Sequence, residues 1–201
     1  ARALVPVIEA LAADGVSTSV EAYSPHVVQV CLEAGAAMVN LTGSSELEAI
    51  YELAAEHDAA VVLCYVPGAN VREVGHVELA ADPLPALIDY FGARISHARA
   101  HGVTNVVIDP GLGFYYANLT DPLIRARHQA EVLLNSFRLR TLGVPVCQAM
   151  PHAFDIFEEE FRTGEAFFAM LARLGGVHVL RTHEVARVRA VLAALAALDV
   201  T

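Results

Sequence analysis

The stretch VVIDPGLGFYY, residues 106–116, ends an apolar run on a carboxylate and then turns. Val and Ile lead into Asp109, and Pro, Gly and three aromatic residues follow within seven positions. A short apolar run that is rich in β-branched residues and bounded by Pro and Gly predicts a buried strand. The stretch therefore predicts an inner strand that ends on a polar side chain, Asp109.

The same kind of run recurs along the chain between longer segments with helical periodicity. The strand candidates are residues 17–23, 37–43, 59–66, 105–111, 144–150 and 177–183, and a helix at about 3–13 precedes them. Most of these runs are apolar on both faces, as parallel strands covered by helices are. They predict an α/β fold of the (β/α)8 TIM-barrel type, with about six β–α units present in this chain. Periodicity alone leaves an open doubly wound sheet as the alternative.

Several predicted helices carry start signals. Asp or Ser followed by Pro predicts a cap and a first helical residue at 24–25, 82–83 and 121–122. Ser45 with Glu48 predicts a capping box. The longest irregular piece, residues 67–81, follows the third strand and is expected to be a functional loop.

Composition limits the classes of partner. The 201 residues are 55% hydrophobic and 18% charged, with a net charge of −10, so neither nucleic acid nor an anionic membrane is an expected partner. The longest apolar run near the end has nine residues, 190–198, whereas a membrane span needs about 20. The three cysteines, Cys31, Cys64 and Cys147, lack C-x-x-C spacing and predict buried thiols in a cytoplasmic protein.

Polar residues stand where the predicted strands end. In a β–α barrel the carboxyl ends of the strands meet at one rim and build the site. The candidate site residues found in this way are Glu21, Asn40, Asp109, His152, Arg181 and His183.

Each candidate also has a structural explanation. Asp109 could cap the turn at 110–111, Asn40 could brace the turn at 42–43, and Glu21 could be solvated. Arg181 could pair with a carboxylate on a neighbouring element. His152, His183 and Glu184 lack the i, i+4 spacing of a helical zinc motif, so no protein-only metal site is predicted. Six other histidines are expected at the surface: His26, His57, His76, His97, His101 and His128.

Four stretches carry a resemblance to a known family. They are SVEAYSPHVVQVCLEAGAAMVN (19–40), VVIDPGLGF (106–114), LGVPV (142–146) and RTHE (181–184). In this order and spacing the chain resembles dihydropteroate synthase, the pterin-binding barrel of folate synthesis. The resemblance implies a single barrel domain over residues 1–201. It also implies a condensation of 6-hydroxymethyl-7,8-dihydropterin pyrophosphate with para-aminobenzoate, commonly assisted by Mg²⁺.

The resemblance also implies roles for residues. Asp109 and Asn40 would bind the amino-pyrimidine edge of the pterin, and Phe114 would offer a ring near the flat substrates. Arg181 and His183 would hold the leaving pyrophosphate as its charge develops. Glu21 stands where the family usually has Asp. A homodimer is expected through the apolar last helix, residues 184–198.

Several positions depart from the family pattern. Leu41 replaces an Asp, and the family's Lys falls on Ala153, so that the neighbouring His152 is the candidate substitute. The family's first two strands are not among these residues, and we expect a natural protein longer by about 50 to 80 residues. These departures keep a non-catalytic pterin-binding homologue open. A pterin-dependent methyltransferase is less favoured, because methyl transfer releases no pyrophosphate for Arg181 and His183 to hold.

Overall fold

The computed structural model describes residues 2–67, 76, 79–114, 116 and 118–198. The chain forms two compact units. The first contains the described residues up to 67 together with 90–108, and the second contains those of 76–89 and 109–198. Most of the predicted loop at 67–81 lies outside the described residues. The single barrel domain stays a prediction.

All six predicted strands are confirmed. Four of them form one sheet in the order β1 (Ser19–Glu21), β2 (Met38–Leu41), β3 (Ala60–Cys64) and β4 (Val106–Asp109). These strands belong to the first unit except for Asp109, the last residue of β4, which belongs to the second. The first three strands of the sheet pair in parallel. In the second unit, β5 (Cys147–Ala149) and β6 (Val179–Arg181) pair in parallel.

Helices alternate with these strands, as predicted. They are α1 (Val5–Ala13), α2 (Pro25–Glu33), α3 (Leu47–Glu56), α4 (Leu84–Ala100), α5 (Pro122–Asn135), α6 (Phe154–Phe157), α7 (Phe161–Leu174) and α8 (Val185–Ala197). Short 3-10 segments, Ser136–Leu142 and Glu158–Glu160, follow α5 and α6. Within the described ranges, no helix is both long and apolar enough to cross a membrane.

The core of the first unit lies between its sheet and the helices α2 and α3. Val39 and Val61 are fully buried in neighbouring strands, and Val28, Ile50 and Tyr51 are fully buried on the helices. Parallel strands covered by helices have both faces removed from water, which explains why their sequences are apolar without alternation.

The core of the second unit is built on α7, which packs against α5 and α8. Phe168, Ala169 and Ala172 form its buried face. Gly175 ends this helix close to α5, where an added Cβ would lie 1.8 Å from the Leu133 carbonyl oxygen. Only glycine fits there, so Gly175 is what allows the end of α7 to lie this close to α5.

The predicted helix starts have different outcomes. Asp121 caps α5, and its Oδ1 accepts hydrogen bonds from the backbone N–H groups of Leu123 and Ile124 at 2.8 and 3.1 Å. Ser24 occupies the cap position of α2 without a side-chain hydrogen bond to the helix. The capping box of Ser45 and Glu48 was wrong, because α3 begins after Glu46, whose left-handed backbone (φ 54°) shifts the start by one residue.

The two caps allow a matched test. Asp121→Ala is expected to lower the free energy of unfolding by about 1 kcal/mol, because two helix N–H groups lose their acceptor. Ser24→Ala removes no such bond and is expected to change it much less. Urea unfolding followed by circular dichroism measures both. An equal loss in the two variants would contradict the assignment of Asp121 as a cap.

Candidate functional site

Glu21 and Asn40 lie side by side in the first unit, because the register of β1 and β2 pairs these two positions. The Asn40 amide nitrogen donates to Glu21 Oε2 at 3.2 Å, and the Thr42 hydroxyl donates to Glu21 Oε1 at 2.8 Å. The Tyr23 hydroxyl lies 2.6 Å from that of Thr42. Asn40 and Thr42 are buried whereas Glu21 is exposed. The two buried side chains therefore hold the exposed carboxylate in place by hydrogen bonds.

Asp109 and Arg181 form an ion pair in the second unit. Asp109 ends β4 and Arg181 ends β6, and the guanidinium Nη1 lies 3.1 Å from Asp109 Oδ2. The Asp109 side chain is only 1% exposed, whereas that of Arg181 is 45% exposed. A carboxylate buried to this degree needs charged or polar partners, and Arg181 is one of them.

The loop after β4 is held by its own hydrogen bonds. Asp109 Oδ1 accepts from the Gly111 backbone N–H at 2.8 Å, so the turn-capping explanation and the ion pair are both realised. Gly111 has a φ of +76°, which favours glycine. The Tyr116 hydroxyl donates to the Gly111 carbonyl at 3.0 Å, and the Gln129 amide donates to the Leu112 carbonyl at 2.8 Å. Phe114 is half-buried on this tied loop.

A second buried carboxylate, Glu165 of α7, joins the two predicted histidines. His152 Nε2 lies 2.9 Å from Glu165 Oε1, and His183 Nδ1 lies 3.2 Å from the same oxygen. Glu165 Oε2 accepts hydrogen bonds from the Thr182 hydroxyl and from the backbone N–H groups of His183, at 2.8 Å, and Glu184, at 3.2 Å. Both oxygens of this fully buried carboxylate are therefore engaged.

The ionisation of Glu165 follows from these bonds. Burial alone would raise its pKa, but the hydrogen bonds from Thr182, Glu184 and His183 together outweigh burial and lower the pKa below the ordinary value of 4.5. Glu165 was missed from sequence. The available signal was a glutamate among Ala166, Phe168 and Ala169, on the face of α7 that the helical period assigns to the core.

The ion pair of Asp109 and Arg181 and the two histidines line one cavity of the second unit, which has a volume of about 1090 Å³. Its lining includes five predicted site residues: Asp109, Phe114, His152, Arg181 and His183. Apolar side chains of α8, among them Val188 and Leu192, form part of its wall. The cavity thus combines an ion pair, two imidazoles and an aromatic ring with an apolar surface, as small-molecule sites do.

The cysteines are free and buried, as predicted. Cys147 lies in β5 near the ion pair, and burial, reinforced by the charge of Asp109 and opposed by that of Arg181, raises its pKa to about 12. A thiol with that pKa stays protonated at neutral pH and is a poor nucleophile.

The expected surface position of His128 was wrong. It is 8% exposed on α5, and burial lowers its pKa. His97 lies on α4 and His101 directly follows its last residue, and the two form a second cluster with Glu48, in which the three ligand atoms lie within 4.8 Å of one another. Glu184, considered as a metal ligand from sequence, instead pairs with Arg162 and Arg187, at 3.4 and 2.5 Å.

Comparison with known proteins assigns the family. The pterin binding enzyme family matches residues 1–183, and this chain belongs to that family. Dihydropteroate synthase of Bacillus subtilis (strain 168) is 26% identical over 194 residues, which are 92% of this chain and 63% of that protein. The chain thus spans somewhat less than two thirds of the length of this relative.

Solved structures show the same fold. Dihydropteroate synthase of Thermus thermophilus in complex with 6HMPPP is 28% identical, with a TM-score of 0.78 over 98% of this chain and 76% of the other. The same enzyme in complex with 4-aminobenzoate is 26% identical, with a TM-score of 0.81 and the same coverage. These matches confirm the resemblance drawn from the four motifs and the α/β fold of the TIM-barrel type with about six strands.

The low pKa of Glu165 predicts a contribution to acid stability. A group whose folded pKa is lowered stabilises the fold above its unfolded pKa, about 4.5, and loses this effect as pH falls through the folded pKa. Glu165→Gln is therefore expected to lower the free energy of unfolding at pH 7 by about 1–3 kcal/mol, because buried donors lose their charged acceptor. The difference from wild type should shrink below pH 4.5.

Urea unfolding at a series of pH values measures this. Glu159→Gln makes the same chemical change on an exposed residue and is expected to have little effect at any pH. A Glu165→Gln deficit that stays constant from pH 7 to pH 3 would contradict a charged, hydrogen-bonded Glu165.

Proposed function

We propose that this protein is a dihydropteroate synthase, which condenses 6-hydroxymethyl-7,8-dihydropterin pyrophosphate with para-aminobenzoate in folate biosynthesis. The observation that carries the proposal is the buried carboxylate of Asp109, paired with Arg181 beside a cavity that also contains Phe114 and His183. The family assignment supports it, as do the relatives that bind 6HMPPP and 4-aminobenzoate.

Asp109 is suited to the amino-pyrimidine edge of a pterin. That edge presents neighbouring N–H donors, and a carboxylate accepts two such bonds side by side. Arg181 pairs with Asp109 at 3.1 Å. When the pterin N–H groups become donors to Asp109, the half-exposed guanidinium is released for another anion without leaving the carboxylate unpaired.

The anion that Arg181 would then bind is the pyrophosphate released in the reaction. The amine nitrogen of para-aminobenzoate attacks the methylene carbon, the carbon–oxygen bond to the pyrophosphate breaks, and the new nitrogen–carbon bond leaves the amine with one proton to lose. Negative charge grows on the departing pyrophosphate, where Arg181 and the exposed imidazole of His183 act as hydrogen-bond donors. In a protein of net charge −10, such local donors are needed to hold an anion.

The remaining predicted residues have supporting roles. Phe114, held on the tied loop, offers a ring face to the flat substrates, and His152 stands beside His183 with a ring-centroid distance of 5.3 Å. In the first unit, the 3.2 Å hydrogen bond to Glu21 orients the Asn40 amide, and both residues remain proposed substrate-binding residues from the family resemblance.

Mg²⁺ remains a proposal from the family resemblance. Among the described residues, the clusters able to hold an ion each offer two imidazoles and one carboxylate, whereas Mg²⁺ prefers oxygen ligands. These residues do not fit Mg²⁺, and none of the steps above depends on it.

A non-catalytic pterin-binding homologue is the second candidate. One observation favours it: Ala153, where the family has Lys, adopts a left-handed backbone with a φ of 49° and offers no cation to a bound ring. His152 is the nearest positive candidate in sequence, and its ring stacks on Phe154 at 4.9 Å.

Asp109→Asn tests both candidates. We expect wild type to bind the pterin pyrophosphate and to form dihydropteroate, and the variant to bind at least tenfold more weakly, because an amide presents one N–H against the donors of the pterin. Isothermal titration calorimetry and a turnover assay with both substrates measure this. Asp121→Asn makes the same change at an exposed helix cap and should leave pterin binding unchanged.

The outcomes separate the candidates. Pterin binding without turnover in wild type would favour the non-catalytic homologue. Equal binding by wild type and Asp109→Asn would contradict the pterin site at Asp109, and an absence of binding would overturn both candidates.

We also propose a homodimer and a cytoplasmic location. The homodimer would form through α8 and the residue after it, where Val185 is 53% exposed and Leu198 is 73% exposed. Free, buried thiols support a reducing compartment.

Light scattering at micromolar concentration should give twice the chain mass. Leu198→Glu is expected to shift the protein toward the monomer, because it places a charge on an apolar contact. Glu131→Lys, a charge change on another helix, serves as the control. A monomeric wild type would contradict the dimer.

A further inference from the structure

We propose that His152, Glu165 and His183 form a binding site for a transition metal ion of the zinc type. The ligand atoms are His152 Nε2, Glu165 Oε1 and His183 Nδ1, which all lie within 4.8 Å of one another. Two imidazoles and one carboxylate are a ligand set that Zn²⁺ takes at catalytic sites, where a water or substrate oxygen completes the coordination.

The distances between these atoms suit one central ion. Bonds of 2.0–2.2 Å in a tetrahedral arrangement place the ligand atoms roughly 3.4 Å apart. The two distances that involve Glu165 Oε1 are 2.9 and 3.2 Å. Adjustments of a few tenths of an ångström at these two contacts would suit the ion, and the two imidazole nitrogens, which lie within 4.8 Å of each other, would approach the same spacing by small ring movements.

The surroundings of Glu165 fix the direction of its ligand oxygen. Its Oε2 is held by the Thr182 hydroxyl and by the backbone N–H groups of His183 and Glu184. These bonds turn Oε1 toward the two imidazoles. Hydrogen bonds of this kind, from a second layer to a metal ligand, orient the ligand and raise metal affinity.

Burial differs between the three ligands in a way that leaves one side open. Glu165 is fully buried, whereas the side chains of His152 and His183 are 33% and 83% exposed. Both histidines line the cavity that contains Asp109 and Arg181. The fourth coordination position would therefore face the cavity, where water or an anionic ligand can enter.

The net charge of the metal site would allow the ion to bind an anionic ligand. A divalent ion on one carboxylate and two neutral imidazoles carries a net charge of +1, beside the guanidinium of Arg181. Such a centre would attract a pyrophosphate oxygen. This use rests on the proposed function, whereas metal binding itself does not.

The same contacts have a metal-free explanation, in which imidazole N–H groups donate to Glu165. The two explanations differ in one measurable respect, because a metal replaces the proton at each ligand nitrogen. Only the metal site predicts tight, stoichiometric uptake of the ion that depends on both rings.

The cluster of Glu48, His97 and His101 must be removed from the measurement. It carries no proposal, since the Glu48 side chain is 72% exposed and His101 Nδ1 already contacts the His97 carbonyl at 3.0 Å. Its two histidines are nevertheless four residues apart and can take up zinc at high concentration. His101→Ala is therefore the background for every variant below.

The experiment is calorimetric titration of the full chain with ZnCl₂ in the absence of pterin and para-aminobenzoate. We expect one ion per chain, and affinity at least tenfold weaker in His152→Ala and in His183→Ala, because each removes one of three ligands. Glu165→Gln should weaken binding similarly. Glu184→Gln, the same chemical change on the neighbouring carboxylate paired with Arg162 and Arg187, should not.

Cobalt provides a second measurement. Co²⁺ bound in place of Zn²⁺ should give the intense visible absorption of a tetrahedral site, and His183→Ala should abolish it. Circular dichroism shows whether each variant folds, and the two histidine variants change exposed rings, so they keep the test open if Glu165→Gln unfolds.

The results have definite consequences. No zinc uptake by His101→Ala, or uptake that stays the same when His152→Ala or His183→Ala is added to it, would overturn the metal site. Zinc uptake without pterin binding would leave the metal site standing while the proposed function fails. Pterin turnover without zinc uptake would do the reverse.

Discussion

A carboxylate withdrawn from water at the end of β4 constrains the second unit. Asp109 is 1% exposed, and an ionised group at that depth is tolerated only with partners that replace water. Arg181 supplies the charge at 3.1 Å and the Gly111 N–H supplies a hydrogen bond at 2.8 Å. The hydrogen bond to Asp109 is made by Gly111, whose φ of +76° favours glycine in the turn after the strand.

Glu165 meets the same constraint by another route. Backbone and hydroxyl donors hold one of its oxygens, and two imidazoles approach the other. A buried anion facing two nitrogen ligands is suited to a cation, and both imidazoles line the cavity that also contains Arg181.

One departure from the family pattern, at Ala153, lies next to a residue of the proposed metal site. The stretch that carries Ala153, where the resemblance implies Lys, also carries His152, the residue that contacts Glu165. The proposed metal ion would bring positive charge to this segment.

The pattern of apolar runs predicted all six strands, because a strand buried on both faces leaves a continuous signal in sequence. It also predicted the helix that begins after Asp121, since this side chain accepts a hydrogen bond from a backbone N–H only two residues away. The start of α3 was wrong by this same local reasoning, because the left-handed residue Glu46 has no signature in the pattern. Strand-end position found four of the residues that line the cavity, Asp109, His152, Arg181 and His183, since parallel strands bring their carboxyl ends to the same edge.

Sequence alone determined the order of elements, the polar strand ends and the buried thiols, since each depends on residues near one another in the chain. Tertiary structure decided the partners. Asp109 and Arg181 are 72 positions apart, and Glu165 reaches His152 and His183 only because α7 packs its core face against the segments that follow β5 and β6. Hydrogen bonds and ion pairs act over a few ångströms, so the group that satisfies a buried charge is fixed by packing rather than by spacing in the sequence.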